Sequence, residues 1–315
     1  MEIIKLRHPY TKSQIPSENI VLALGFFDGV HRGHQEVINQ AKQLALENNY
    51  PLAVMTFNQH PSIVFKKVAA EDMLYLSTVE KKETLMADLG VDILYEIEFT
   101  SSFASLDPQT FVDSYIVGLN AKVVVAGFDY TYGKKEIASM KHLPQYARNR
   151  FDIIVIEKQS TNDAKISSTR IRKAIDSGNV EEANDLLGYI YEATGRVIHG
   201  DARGRLLGFP TANIDVIKDI RLPAIGVYVV EILVGNERYQ GMASIGHNIT
   251  FEKSRPLTVE VYILDFNQNI YGEKVTVFWL HYLRGEWKFD SVEALITQLK
   301  KDEKDTRQFF QTVNN

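Results

Sequence analysis

The chain is 315 residues long, 45% hydrophobic and 24% charged, a composition that excludes a disordered polymer and leaves room for about two domains. Its formal charge of −5 is spread evenly: residues 1–184 hold 20 Lys plus Arg against 23 Asp plus Glu, and residues 185–315 hold 15 against 17, so neither half is a basic nucleic-acid platform. Cysteine is absent, which excludes disulfides, thiolate metal sites and a cysteine nucleophile; MEIIKLRHPY lacks a signal-peptide core and no apolar run long enough to span a membrane follows, so the reading is a soluble, cytoplasmic protein.

In chain order, Ile20 to Leu24 is a continuous apolar run, and Val37, Ile38, Ala41, Leu44 and Ala45 then recur at helical spacing. The turn between them, GFFDGVHRGHQ at 25–35, therefore sits at a strand-to-helix junction. There the unpaired N–H groups of the first helical turn and the positive end of the helix dipole attract an anion, and Gly29 and Gly33 let backbone approach it. His31 and His34, three apart, fall on one side of that turn, where two imidazoles can donate to phosphoryl oxygens as charge grows in a transition state.

Apolar strands and helical patterns keep alternating through LAVMTF (52–57), a helix near Val79 to Leu89, DILYEIEF (92–99), a helix opened by Asp107-Pro108, VVVAGF (123–128) and DIIVIE (152–157). That alternation predicts a Rossmann-like α/β domain, a parallel sheet with helices on both faces, whose ligands bind beyond the carboxyl ends of the strands. In KISSTRIRKAIDSGN (165–179), Ser167 or Ser168 caps a further helix whose first turn carries Thr169 and Arg170. Alone this fits an ordinary capped helix; beside the histidines it supplies hydroxyl and guanidinium donors for phosphate.

Past about residue 186 the pattern changes to period-two strands separated by turns, IYEATGRVIHG, TANIDV, GVYVVEILV, RYQGMASIG, LTVEVYILDF and KVTVFWLHYL, which favours an antiparallel barrel or sandwich. Ser291 to Phe310 then closes the chain as a helix that presents Val292, Leu295, Ile296 and Leu299. Gly195, Gly200, Gly204 and Gly208 make a flexible loop, Arg203 and Arg205 add positive charge, and Pro210-Thr211-Ala212-Asn213 presents a hydroxyl and an amide oxygen, hard ligands suited to Mg²⁺ on ATP phosphates.

GFFDGVHRGHQ, ISSTRIR and GRVIHGDARGRLLGFPTAN together resemble the bifunctional riboflavin kinase/FMN adenylyltransferase family, the bacterial FAD synthetases, over nearly the whole chain. The resemblance implies an adenylyltransferase domain over 1–185 that turns FMN and ATP into FAD and pyrophosphate. It also implies a riboflavin kinase domain over 186–315, a six-stranded barrel with a C-terminal helix that makes FMN from riboflavin and ATP. Riboflavin, FMN, FAD and Mg²⁺-ATP are the implied ligands, with a monomer or weak homo-oligomer expected.

On the same basis, His31, His34 and Arg170 are expected to stabilise charge, and Gly25, Phe27, Asp28, Gly33, Ser167, Ser168 and Thr169 to hold ATP in the first domain. Asn58, Asp129 and Tyr130, with Tyr132, are expected beside its flavin. In the kinase, Gly200, Arg203, Gly204, Gly208 and Pro210 are expected around ATP, Thr211 and Asn213 on Mg²⁺, Glu260 as the base and Arg284 at the flavin loop. The chain departs from the family pattern at Gln59, where a proline is usual, in KKEIAS after the flavin loop, and in IGHNITF, which lacks a proline before Thr-Phe. Those changes leave two alternatives open, retention of the adenylyltransferase activity alone, or a non-catalytic flavin-binding regulator. They also predict a less rigid loop at Gln59.

Overall fold

The computed structural model describes residues 1–65, 74–157, 160–161, 164–200, 203–247 and 257–313, in two compact units, Met1–Ser168 and Thr169–Asn315. The first contains β1 (Glu2–Leu6), β2 (Ile20–Leu24), α1 (Arg32–Asn48), β3 (Leu52–Phe57), α2 (Ser62–Phe65), α3 (Val79–Asp88), β4 (Ile93–Ile97), α4 (Ser101–Ala104), α5 (Pro108–Val112), β5 (Ala121–Gly127), α6 (Leu143–Ala147), β6 (Asp152–Ile156) and a two-residue hairpin, β7 (Ser160–Thr161) with β8 (Ala164–Lys165). The strands of the main sheet run parallel in the order β1-β4-β3-β2-β5-β6.

Strands β2, β3 and β4 are buried at every position because both faces of the sheet are covered, which is why their sequences read as unbroken apolar runs. Val21 and Ala23 face Val37, Ile38 and Ala41 of α1 and Met86 of α3, while Ile20, Leu22 and Leu24 face Phe111 and Val112 of α5 and Leu143 of α6. Asp107 caps α5 by accepting from the N–H groups of Gln109 and Thr110, with Pro108 at the first helical position. Strand order reverses direction at β2, whose neighbours are β3 on one side and β5 on the other, so the turn after β2 opens at the switch point of the sheet.

Two strands behave differently from their sequence patterns. No strand is expected from the pattern of MEIIKL, yet β1 pairs with β4 in register from Glu2 with Ile93 to Leu6 with Ile97. Only Ile4 and Leu6 of that edge strand are buried, so its apolar signal is short. β6, the other edge, leaves Ile154 and Val155 exposed because nothing pairs beyond it among the described residues.

The second unit contains α7 (Ser168–Asp176, its first residue closing the first unit), α8 (Val180–Leu187), β9 (Glu192–Ile198), α9 (Arg203–Leu206), β10 (Thr211–Val216), β11 (Gly226–Val234), β12 (Glu237–Gly246), β13 (Thr258–Ile263), β14 (Lys274–Arg284) and α10 (Val292–Val313). Six antiparallel strands close into a barrel in the order β10-β13-β12-β11-β14-β9, which leaves no open edge. The compact units divide at 168/169, whereas the sequence border is drawn at 185/186, because α7 and α8 pack on the barrel: Asp176 pairs with Arg221, and the Asn184 amide donates to the Trp279 carbonyl at 2.9 Å.

The closing helix α10 does not bury the stripe read from its sequence. Val292 is exposed and Leu295, Ile296 and Leu299 are half-buried, while the buried positions are Asp302, Thr306 and Phe310, one turn apart along the second half. Asp302 is there for Arg284, whose guanidinium donates to both carboxylate oxygens at 2.7 to 3.1 Å and to the Gly285 carbonyl. Both side chains are buried, so removing one leaves the other an uncompensated charge. Asp302→Ala is expected to destabilise the barrel unit by about 3 kcal/mol, read as a lowered urea midpoint of its unfolding.

Candidate functional site

The GFFDGVHRGHQ turn is held in a strained backbone. Phe27, Gly29 and Val30 all have positive φ, at 55°, 74° and 36°, and for a β-branched valine that conformation is costly. Surrounding groups over-determine it. The Asp28 carboxylate accepts from the Leu76 N–H at 3.0 Å, the Gly29 N–H donates to Ser77 Oγ at 3.1 Å, and Gln35 Nε2 donates to the Val30 carbonyl at 2.8 Å. Gly29 thus serves the chain reversal and its N–H is occupied by Ser77, a correction to the expectation that this glycine brings backbone to an anion. At Gly25 a Cβ would lie 2.6 Å from the Phe27 ring, so the buried Phe27 dictates that glycine.

α1 begins directly after this turn with His31 as its N-cap, the ring nitrogen Nδ1 accepting from the His34 N–H at 3.3 Å. That bond keeps Nδ1 an acceptor, so the neutral ring carries its proton on Nε2. The two imidazoles stack with centroids 3.5 Å apart and planes 16° apart, and His34 also meets the edge of Phe27. A Cβ at Gly33 would stand 3.3 Å from the His31 ring, a tight contact that would press on the imidazole.

The ISST segment reaches the same turn across 140 residues of chain: Ser168 Oγ donates to the Asp28 carbonyl at 3.3 Å. Gly25, Phe27, Asp28, His31, Gly33, His34 and Ser168 are therefore one cluster, with Ser167 in the position just before α7. Thr169 and Arg170 continue α7, and the Arg170 guanidinium is aimed by Glu182 of α8, which accepts from Nε and Nη2 at 2.8 Å.

Loops after β3 and β5 line the same carboxyl edge. Asn58 clips two strand ends together, its N–H donating to the Ile97 carbonyl and its Oδ1 accepting from the Phe99 N–H at 2.9 Å. Gln59 donates to the Phe99 carbonyl at 2.7 Å, so the rigidity expected to be lost with the proline is supplied by a hydrogen bond. In the DYTY loop the Tyr132 ring stacks on Phe111 inside the core, and the Tyr130 and Tyr132 hydroxyls are buried with no partner among the described residues, their phenols pushed up by that burial. Phe128, Asp129 and Thr131 are exposed, so the flat surface offered at that edge is Phe128 and not the Tyr132 ring.

Sequence reasoning passed over Lys82 in this region. It is 5% exposed, and Nζ donates to the Phe26 carbonyl at 3.0 Å, Thr56 Oγ1 at 3.2 Å and the Phe57 carbonyl at 3.4 Å. The available signal was its place with Val79 and Met86 on a helical stripe otherwise apolar.

In the barrel, Asn213 of β10 lies opposite Glu260 of β13, and Thr211 is one diagonal step away. Thr211 Oγ1 donates to Glu260 Oε2 at 3.0 Å. Glu260 shares its half-buried face with Thr258 and Tyr262, as the period-two pattern predicts, while Val259, Val261 and Ile263 fill the interior. Gly200 has no room for a Cβ because the Asn213 amide occupies that space, and Gly204 is pressed against the Phe209 carbonyl.

The glycine segment is more ordered than a free loop. Arg203 to Leu206 form one helical turn, closed by a Phe209 N–H to Gly204 carbonyl bond at 2.8 Å and by Gly208 at φ +83°. Gly195 stands apart from it, inside β9 with the Asp215 carbonyl against its Cα, so it serves strand pairing. The Arg203 side chain, and Asn248 to Phe251 of the IGHNITF segment, lie outside the described residues. A cavity of about 370 Å³ opens beside this turn, lined by Arg205, Pro210, Thr211, Val261, Asn269 and Tyr271 among others. Arg284, expected at the flavin loop, has its guanidinium committed to Asp302, with Trp287 4.9 Å away against its face.

Oxygen donors fit a hard divalent ion here: Thr211 Oγ1, the Asn213 amide and the Glu260 carboxylate converge from neighbouring strands, and Mg²⁺ ordinarily takes one or two carboxylates plus substrate phosphates.

The FAD synthetase family model matches residues 13–170, and the riboflavin kinase family model matches residues 187–310. Proteins named bifunctional riboflavin kinase/FMN adenylyltransferase are similar over both halves: the one from Listeria monocytogenes is 53% identical over 310 residues, covering 98% of each chain, and those from Bacillus subtilis and Escherichia coli K12 are 42% and 33% identical, covering 99% and 97% of each. A crystal structure from Streptococcus pneumoniae, described as that of a macrolide-efflux protein, has a TM-score of 0.88 and 41% identity, covering 96% of this chain and 99% of that one. No helix among the described residues is long and apolar enough to cross a membrane. With both models matched in order and relatives aligned nearly end to end, the chain belongs to the bifunctional riboflavin kinase/FMN adenylyltransferase family.

Proposed function

We propose that this chain makes FMN from riboflavin and ATP in its C-terminal half, and FAD and pyrophosphate from FMN and a second ATP in its N-terminal half, with the functional border at 185/186. The observation that carries the reading is that each family model falls on the half whose own geometry offers the matching chemistry: paired imidazoles at a helix start in one, and a carboxylate beside oxygen ligands in the other.

In adenylyl transfer an FMN phosphate oxygen attacks the α-phosphorus, that P–O bond forms, and the bond to the β-phosphate oxygen breaks to release pyrophosphate. No covalent enzyme intermediate is required. His31, through Nε2–H, with His34 and Arg170, donates to oxygens on which charge grows, and the backbone of Gly33 and the Ser167–Thr169 segment cradle phosphate. Asn58, Asp129 and Tyr130 border the flavin from the β3 and β5 loops.

In the kinase, Glu260 accepts the proton of the riboflavin hydroxyl as its oxygen attacks the γ-phosphorus, the bond from that phosphorus to the β-phosphate oxygen breaks to release ADP, and the bond from Thr211 fixes the carboxylate. Thr211 and Asn213 would hold Mg²⁺, and the ion would supply positive charge to offset the charge of the ATP phosphates. The compact turn at 203–208, with Gly200 and Pro210, shapes the nucleotide cavity, and Arg284 orders the flavin loop through its anchor on α10.

The reading places the enzyme in the cytoplasm, where ATP is abundant, as a monomer or weak homo-oligomer. Purified protein given riboflavin, ATP and Mg²⁺ is expected to accumulate FMN and then FAD, resolved by chromatography; absence of both flavin nucleotides refutes the proposal. Chelation by EDTA is expected to stop FMN formation, and excess Mg²⁺ to restore it. Riboflavin left unphosphorylated while supplied FMN is still adenylylated would favour a single retained activity.

A further inference from the structure

We propose that Lys82 is a positioning residue for adenylyl transfer: its buried ammonium ties the backbone entering the histidine turn to the backbone leaving β3, and so holds the two loops in register for FMN and ATP. Lys82 rises from α3 beneath the carboxyl edge of the sheet, and its three acceptors come from the segments that the reaction must align. Phe26 immediately precedes the strained Phe27–Val30 turn that sets His31, and Phe57 immediately precedes Asn58. Thr56 completes the clasp by donating its own hydroxyl to the Phe26 carbonyl at 2.8 Å. The ammonium also lies 4.5 Å from the Phe26 ring centroid, so the cation holds both the carbonyl and the ring of the same residue.

A purely structural site would be filled more cheaply. Burial works against the charge and lowers the Lys82 pKa to about 8, with the carboxylates of Asp28 and Glu96 acting in the opposite sense. Among the described residues those two are the titratable groups that face it, from the turn after β2 and from β4; Glu96 also sits 3.6 Å from Lys5. His60 and Tyr75 pack against the Phe26 ring. With a lowered pKa, the ammonium is intact below about pH 8 and is lost as pH rises through that value, so the clasp loosens on the alkaline side. A cation kept where burial opposes it is expected where precise placement outranks stability, since a misplacement of about 1 Å can cost on the order of 100-fold in rate.

The inference rests on the adenylyltransferase reading, and the wild-type enzyme separates the two: wild-type FAD formation establishes the reading, and only the variant addresses Lys82. For Lys82→Met in the full chain, kcat for FAD formation from FMN is expected to fall about 100-fold. KM for ATP and FMN should stay within threefold, the melting temperature should not fall, and riboflavin phosphorylation should be unchanged. Wild-type kcat for FAD formation should decline above about pH 8, and the variant's residual rate should lose that limb. A variant kcat within threefold of wild type, or a variant that keeps the alkaline limb, overturns the proposal. Should Lys82→Met not fold, the wild-type profile decides, and a kcat that stays flat from about pH 7 to 9.5 overturns it.

Discussion

In His31→Ala, FAD formation from supplied FMN is expected to fall about 100- to 1,000-fold while FMN formation from riboflavin is unchanged. The size follows from removing one preorganised donor aimed at developing phosphoryl charge. His31 has two jobs in the structure, capping α1 through Nδ1 and carrying a proton on Nε2, and only the second is chemical. His31→Asn separates them, because asparagine caps a helix well but places no donor where Nε2 stands. Both variants are expected to lose FAD formation, with the asparagine form melting closer to wild type. A His31→Asn enzyme with wild-type kcat would show that the imidazole is a cap alone.

Glu260→Gln is expected to do the reverse, lowering FMN formation about 100- to 10,000-fold, the range of a lost general base, with FAD formation from supplied FMN intact. Glutamine keeps an oxygen to accept from Thr211, so β10 and β13 should stay in register and the loss be confined to proton transfer. Chromatography of flavins after separate incubation with riboflavin and with FMN reads both arms. Loss of FAD formation from supplied FMN in this variant would contradict the division of the two reactions between the two halves.

What the sequence made legible follows from how locally each feature is encoded. Buried parallel strands announce themselves as unbroken apolar runs, and the barrel strands as period-two patterns, because burial on two faces or one dictates the spacing. The histidine pair was legible because a helix start places positions three apart on one side. Features set by distant partners were not. Nothing near Asp28 foretells that Leu76 and Ser77 brace its turn, and nothing near Arg284 foretells that Asp302 of α10 takes its guanidinium. The α10 stripe was misread for that reason: its buried face is chosen by a carboxylate that the barrel needs, not by its apolar residues. Tyr132 was assigned to a ligand surface because its ring chemistry suits one, but stacking on Phe111 draws it into the core. Lys82 escaped because a lysine on an apolar helical stripe reads as a solvated side chain until its three acceptors are seen.

The claim that two separate ATP-using sites act in sequence is tested most directly by mixing the two crippled enzymes. Over a period in which wild type converts riboflavin fully to FAD, His31→Ala alone should stop at FMN and Glu260→Gln alone should leave riboflavin. An equimolar mixture should make FAD, because free FMN from the first feeds the second. Failure of the mixture to form FAD, with each variant folded and its remaining activity present, would contradict the account.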